Sequence, residues 1–181
     1  QHTEEFYDFY KNKMIFLDAK PNKAHLKLAE MEQAGKLSAI VTQNIDGLHQ
    51  AAGSKNVFEL HGSVHRNYCQ KCGKFFDVNY VVNAKGVPYC DECGGIIKPD
   101  VVLYEEGLDS QTINGAVRAI SKADMLIIGG TSLVVYPAAG MIDYFKGKYL
   151  AVLNRDATSR DKQADLCITD PIGEVLGRIR V

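Results

Sequence analysis

Apolar residues recur along the chain at the spacing of amphipathic helices. Positions 24, 28 and 31 are apolar at intervals of i, i+4 and i+7, which predicts a helix that begins after Pro21 and Asn22 and ends at Gly35. A shorter helix rich in aromatic residues is predicted near the N-terminus, capped by Thr3. Further helices are predicted at Ser110–Lys122, at residues 137–145 and, with Pro171 as the first helical residue, at residues 171–180.

Short apolar runs between these helices have the length of strands. They predict strands at residues 37–41, 57–60, 101–104, 125–128 and Tyr149–Leu153. Because strands and helices alternate, the pattern predicts an α/β fold with a parallel, doubly wound sheet. Polar residues that directly follow such strands lie at the carboxyl edge of the sheet, where open α/β folds bind ligands.

The overall charge excludes two classes of partner. Lys and Arg total 21 against 22 Asp and Glu in 181 residues, so the chain has no general basic field for direct binding of nucleic acid or of anionic lipid. No apolar run approaches the roughly 20 residues that span a bilayer, and the first ten residues lack a signal-peptide pattern, so we expect a soluble, cytoplasmic protein with no membrane partner. Because the first residue is Gln1 and not Met, we expect a fragment or a processed product.

Four of the five cysteines form two CxxC pairs with the spacing of a zinc ribbon. The pairs are separated by 17 residues, and glycines follow both of them. Four thiolates occupy all four coordination positions of a tetrahedral zinc ion and leave none for water. The predicted zinc ion is therefore structural. The predicted ligands are Cys69, Cys72, Cys90 and Cys93.

Other interpretations of these cysteines are two redox dithiols or incidental buried thiols. Many zinc ribbons bind nucleic acid, but the charges of this module are nearly balanced and it lacks a basic aromatic stripe. Cys167 lies outside the cluster, and we expect it to be a small core residue.

Three polar segments directly follow predicted strands. Residues 42–49, TQNIDGLH, contain two amides, a carboxylate and an imidazole, although an Asx-rich turn that caps the next helix would also use such residues. A Gly-Thr-Ser turn at residues 130–132 suits a phosphate or a ribose. Asn154 repeats the same placement after the strand Tyr149–Leu153.

Taken in order, the motifs resemble the sirtuin family, in its bacterial type. They are TQNIDGLH at 42–49, ELHGS at 59–63, the two CxxC pairs, KPDVVLYEE at 98–106, GGTSLVVYPA at 129–138 and VLN at 152–154. The resemblance implies a Rossmann-like NAD-binding catalytic domain at residues 1–66 and 98–181, with an inserted zinc-binding module at residues 67–97. It also implies an NAD-dependent protein lysine deacetylase that consumes NAD as a cosubstrate, contains one structural zinc ion and acts on proteins or peptides that contain acetyl-lysine.

The resemblance also implies roles for individual residues. His61 is the expected general base, and Asn44 and Asp46 are expected to be catalytic with it. The residues expected to bind NAD are Gln43, Asn44, Ile45 and Asp46 at the nicotinamide end, Gly130, Thr131 and Ser132 at the diphosphate and ribose, and Asn154, Arg155, Asp156 and Ile172 at the adenosine. The residues expected to flank the acyl-lysine and its peptide are Val101, Val102, Tyr104, Val134 and Val135.

The chain departs from the family pattern in three places. The Gly-Ala-Gly-x-Ser turn and the Pro-Asp-Phe-Arg segment that normally open the fold do not precede Gln1, so we expect the chain as written to bind NAD poorly. Glu105-Glu106 stands where many members have Gly-Glu, and Lys98 stands where Arg is frequent. Two other functions remain open from the sequence, a protein mono-ADP-ribosyltransferase and a catalytically silent module that binds NAD or zinc.

Overall fold

The computed structural model describes residues 2–181, which form six α-helices, eight strands and three further helical segments of the π or 3₁₀ type. The α-helices are α1 Thr3–Phe9, α2 Lys23–Gln33, α3 Leu48–Ala51, α4 Val78–Asn83, α5 Ser110–Lys122 and α6 Ile172–Gly177. The strands are β1 Ile40–Thr42, β2 Val57–Glu59, β3 Gly62–Cys69, β4 Phe75–Phe76, β5 Ile97–Val101, β6 Met125–Gly129, β7 Tyr149–Leu153 and β8 Leu166–Ile168. A π-helix, Tyr10–Met14, continues α1, and 3₁₀ helices lie at Ala138–Tyr144 and Asp161–Gln163.

These elements belong to two compact units. The first, which we call the cysteine unit, consists of residues 2–19, Asn44–Gly47 and His61–Gly107. The second, the helix-sheet unit, consists of Lys20–Gln43, Leu48–Leu60 and Leu108–Val181. Within residues 2–181, no helix has both the length and the apolar character needed to cross a bilayer.

Parallel strands organise the helix-sheet unit. Strand β1 pairs with β2, and β6, β7 and β8 form a second parallel sheet in that order. Helix α5 packs against β2, where Gly115 faces the ring of Phe58 so closely that an added Cβ would overlap it. Helix α2 packs against α6, and its first turn is capped by the side chain of Asn22, which accepts hydrogen bonds from two backbone N–H groups.

An antiparallel sheet organises the cysteine unit. Its strand order is β4-β3-β5, and its core includes Val81, Ile97 and the aromatic side chains of Tyr7 and Tyr10 from the N-terminal helices. The hydroxyl of Tyr7 donates a hydrogen bond to the carbonyl of Ile97, so a polar group in this core is satisfied by the sheet.

Much of the predicted secondary structure is confirmed. Helix α5 and strand β7 have the predicted bounds, and α2 begins after Asn22 as expected. The parallel strands confirm the α/β interpretation of the helix-sheet unit.

Several predictions were wrong in detail. The strand predicted at 101–104 lies at Ile97–Val101 instead and is antiparallel to β3, because beyond Val101 the chain turns outward to a fully exposed Tyr104. The cap of α1 is His2, with Thr3 as the first helical residue, and Pro171 is the cap of α6. Cys167, expected in the core, is exposed on β8.

Candidate active site and metal centre

The four cysteines of the two CxxC pairs converge in the cysteine unit. Their sulfur atoms all lie within 4.8 Å of one another. The Sγ atoms of Cys69 and Cys93 are 3.4 Å apart, and those of Cys72 and Cys90 are 3.7 Å apart. A zinc–sulfur distance of about 2.3 Å places the corners of a tetrahedron about 3.8 Å apart, so the observed arrangement fits one zinc ion.

Two similar turns hold these thiols. In the first, the N–H of Cys69 donates to Lys74 O and the N–H of Gly73 donates to Cys69 O, at 2.9 Å each. In the second, the N–H of Cys90 donates to Gly95 O and the N–H of Gly94 to Cys90 O, at 2.8 and 3.0 Å. Gly73 and Gly94 have φ of 74° and 67°, values that favour glycine, which explains the glycine after each pair.

The surroundings of the thiols change their pKa values in opposite directions, as Cys69 and Cys72 show. Burial opposes ionisation of Cys69, but N–H groups of Cys72 and Lys71 and the neighbouring thiols lower its pKa to about 6. The N–H of Lys74 lowers the pKa of Cys72, but the neighbouring thiols raise it to about 12. Hydrogen bonds thus favour the thiolate of Cys69 and neighbouring thiols oppose that of Cys72, and a divalent cation bound between the sulfur atoms would stabilise all four thiolates.

The segments that contain His61, Asn44 and Asp46 also belong to the cysteine unit. His61 is half-buried and directly precedes β3 in the chain, and its carbonyl accepts a hydrogen bond of 3.0 Å from the N–H of Val102. Gly62 has φ of 76°, and a Cβ there would overlap the carbonyl oxygen of Asp100, so the residue after His61 must be glycine. In the loop Asn44–Gly47, the Asn44 amide lies 3.5 Å from a carboxylate oxygen of Asp46.

A cleft of about 760 Å³ lies at the carboxyl ends of β6 and β7 in the helix-sheet unit. This volume lies within the range of small-molecule and cofactor sites. Gly129, at the end of β6, meets Ile172 so closely that any Cβ would overlap its side chain. The lining includes seven residues that the sequence assigns to NAD: Gly130, Thr131, Ser132, Asn154, Arg155, Asp156 and Ile172.

Side chains at the edge of this sheet are joined by hydrogen bonds. The hydroxyl of Thr131 donates to Oε1 of Gln43 at 3.3 Å, which links the turn after β6 to the end of β1. The N–H of Leu133 donates to the same hydroxyl at 3.2 Å. The amide of Asn154 donates to the carbonyl of Asp156 at 2.9 Å, which orders the turn after β7.

The cleft also contains residues that the sequence analysis missed. They are Asn22, Lys23, Leu153, Ala157, Asp170, Pro171, Gly173 and Glu174. Asp170 lies two residues after the end of β8, close to the position that Asn154 has after β7, so a prediction of β8 would have pointed to this turn. Asn22 and Lys23 lie at the start of α2. In the sequence these two residues indicated only the start of a helix, and nothing marked them as part of a binding site.

The residues expected to contact the substrate differ in exposure. Val101 is 4% exposed in the core of the cysteine unit, and Val102 is half-buried. Tyr104 in the same unit is fully exposed. Val134 and Val135, in the helix-sheet unit, are 70% and 50% exposed, so their apolar side chains are accessible to a partner.

Comparison with known proteins shows likeness over nearly the whole chain. The model of the Sir2 family matches residues 1–137. An NAD-dependent protein deacetylase of Clostridium acetobutylicum is 66% identical over 176 residues, which cover 97% of this chain and 72% of that protein. One of Clostridium perfringens is 63% identical over 180 residues, 99% of this chain and 74% of that protein.

Solved structures show the same likeness in three dimensions. A Sir2 complex with a p53 peptide and NAD+ superposes with a TM-score of 0.91 at 41% identity, over 98% of this chain and 76% of that one. A Sir2 complex with a propionylated peptide superposes with a TM-score of 0.90 at 40% identity, over 98% and 77% of the two chains.

Proposed function

Because this chain belongs to the Sir2 family, we propose that it is an NAD-dependent protein lysine deacetylase that transfers the acyl group to ADP-ribose and releases nicotinamide. The observation that carries the proposal is the cleft at the ends of β6 and β7, whose lining includes seven of the eleven residues that the sequence assigns to NAD. NAD supplies the ribose carbon at which nicotinamide is lost and the hydroxyl that receives the acyl group.

The residues of the chain are proposed to bind, orient and move a proton. Gly130, Thr131 and Ser132 bind the diphosphate and ribose through backbone N–H groups and hydroxyls, and the turn that contains Asn154 binds the adenosine. Gln43, Asn44, Ile45 and Asp46 orient the nicotinamide end. The His61 imidazole acts as the general base, because its ring nitrogen can accept a proton from a ribose hydroxyl.

The substrates proposed are proteins or peptides that contain acetyl-lysine. This part of the proposal is supported by solved relatives that bind an acetylated or a propionylated peptide. The exposed apolar residues Tyr104, Val134 and Val135 are proposed to contact the acyl-lysine and its backbone, with Val101 and Val102 holding the segment before Tyr104 in place.

The four cysteines are proposed to hold one zinc ion that has a structural and not a catalytic role. All four coordination positions are thiolate, so no position is left for water or substrate. Residues 67–97 form the zinc module in this proposal, and residues 1–66 and 98–181 form the catalytic domain. We place the protein in the cytoplasm, where thiols stay reduced and available to a metal.

The test is mass spectrometry of an acetyl-lysine peptide incubated with NAD and the full-length protein. We expect deacetylated peptide and acetyl-ADP-ribose, and a loss of about 100-fold or more in rate for His61→Ala, as for removal of a general base. His2→Ala, which changes an exposed histidine at the start of α1, is the matched control and should retain the rate.

Two other outcomes would replace the proposal. Transfer of ADP-ribose to a protein, without deacetylated peptide, would identify a mono-ADP-ribosyltransferase. Absence of both products from a zinc-loaded protein would identify a catalytically silent module that binds NAD or zinc.

A further inference from the structure

Strand β3 contains a bulge next to the loop Asn44–Gly47. Its register with β5 runs from the pair Ser63–Asp100 directly to the pair Asn67–Pro99, so residues 64–66 are inserted between consecutive pairs. Extra residues of this kind leave the ladder, bend the strand and aim their groups in new directions, often beside active sites. In this strand they make N–H groups and side chains available to bind a neighbouring segment.

The bulge binds the loop at two consecutive carbonyls. The N–H of Val64 donates to the carbonyl of Ile45 at 3.0 Å, and Nε2 of His65 lies 3.0 Å from the carbonyl oxygen of Asp46. Because a carbonyl oxygen can only accept, Nε2 must carry the hydrogen of this bond. Ser63, which is buried, accepts from the N–H of His65 through its hydroxyl at 3.3 Å and so holds the start of the bulge.

Gly47 fits closely against the same imidazole. Its φ is 68°, and a Cβ at this position would lie 2.7 Å from Cδ2 of His65. The ring therefore fixes the loop both by a hydrogen bond to Asp46 and by contact with Gly47. Since the ring is exposed, this contact contributes little to the core of the unit.

We propose that His65 is a positioning residue that holds the backbone of the loop Asn44–Gly47 in the conformation that binds the nicotinamide end of NAD. This role rests on the proposed function, since it assigns the purpose of the loop from the deacetylase reaction. In this proposal β3 has two roles. His61 directly precedes the strand, and the bulge in the strand holds the loop that contains Asn44 and Asp46. The general base and the nicotinamide-binding residues are thus supported by one strand.

Three substitutions of His65 test the donor. In His65→Gln the side-chain amide nitrogen reaches about as far as Nε2, in His65→Asn it stops one bond short, and in His65→Ala it is absent. We expect the Ala and Asn variants to raise KM for NAD about 3- to 10-fold, the usual effect of one lost hydrogen bond, with KM for the acetylated peptide unchanged. The Gln variant should stay within about twofold of the wild type.

Other outcomes of the kinetics would overturn the role. Equal rises in KM for NAD and for peptide would mean a general structural effect, and unchanged kinetics in the Ala variant would mean no role. If Gln is as impaired as Ala, the donor at this position is not what holds the loop. His2→Asn, made in another exposed histidine, is the matched control and should leave both KM values unchanged.

Hydrogen exchange separates this inference from the proposed function. Peptides that cover residues 43–49 are followed by mass spectrometry in the absence of NAD, so the result does not depend on activity. We expect exchange in this segment about 3- to 10-fold faster in His65→Ala and His65→Asn than in the wild type, and nearly unchanged in His65→Gln. Unchanged exchange in the Ala variant would overturn the positioning role even in an active enzyme, whereas faster exchange in an inactive protein would support it and reject only the deacetylase.

Discussion

The two units bury their cores by different means. In the helix-sheet unit, Leu150, Ala151, Val152 and Leu153 of strand β7 are all buried between parallel neighbours and helices. In the cysteine unit, β4 has two residues and α4 has six, and two of the four thiols, Cys69 and Cys90, are themselves part of the core cluster. The helix-sheet unit is stabilised by apolar packing, whereas the cysteine unit combines an apolar core with four thiols whose short flanking turns need a metal ion to fix them.

The largest expected effect follows from removal of zinc. Structural zinc contributes about 10 kcal/mol or more to the folding of small metal-binding modules, so chelation should increase hydrogen exchange in residues 62–107 by more than tenfold while strand β7 stays protected. Cys72→Ser should lose bound zinc in the same way, whereas Cys167→Ser, which changes the exposed cysteine outside the cluster, should retain it. If the amides of β7 lost protection from exchange to the same extent, the two units would unfold together, and the difference between them proposed above would be wrong.

A smaller effect is expected from the core of the helix-sheet unit. Leu176 of α6 is 1% exposed and packs with Ala24 and Leu153, so Leu176→Ala should lower the free energy of unfolding by about 2–5 kcal/mol. Denaturant titration measures the loss, with zinc content determined on the same samples. Leu166→Ala, at a site that is 50% exposed on β8, is the control and should cost much less. If the Leu176→Ala variant also lost its zinc, this would contradict the view that the two units are stabilised separately.

The sequence predicted the helix-sheet unit better than the cysteine unit. Helix α5 and strand β7 had clear periodicity, and the polar turns after β6 and β7 line the cleft as expected of strand ends. Strand β5 was misplaced because it contains Pro99, which sequence rules exclude from central strands but which an edge strand of the order β4-β3-β5 accepts. The cluster of four cysteines was predicted from the spacing of the two CxxC pairs alone, because each of the two turns is formed by residues that are close in the sequence.

The bulge of β3 could not be predicted from the sequence. Residues 62–69 alternate in burial only partly, and pairing register depends on β5, which lies about 30 residues further along the chain. His65 is one of five histidines and belongs to none of the motifs that identified the family beyond its nearness to ELHGS. Only its position opposite the carbonyl of Asp46 distinguishes it, and this contact joins segments that are separated in the sequence.

The smallest effect concerns the cap of α5 in the helix-sheet unit. Asp109 accepts hydrogen bonds from the N–H and the hydroxyl of Thr112, at 2.7 and 2.8 Å, and the bond from the backbone N–H is the main reason that the pKa of Asp109 is lowered. A carboxylate whose pKa is lower in the folded than in the unfolded protein stabilises the fold above its ordinary pKa, and this stabilisation is lost as the pH falls. Asp109→Asn keeps the oxygen acceptor without the charge.

The wild type should therefore melt higher than Asp109→Asn by about 2 °C at pH 7, and the difference should vanish as the pH falls below the ordinary carboxyl pKa. Thermal denaturation followed by circular dichroism at several pH values measures it. Any release of zinc in acid affects both proteins alike, so the difference between them reports the cap alone. Asp18→Asn, which changes an exposed carboxylate of the cysteine unit, is the control. A difference that persisted at low pH would mean that the Asn side chain fits the cap less well, and that charge is not the cause.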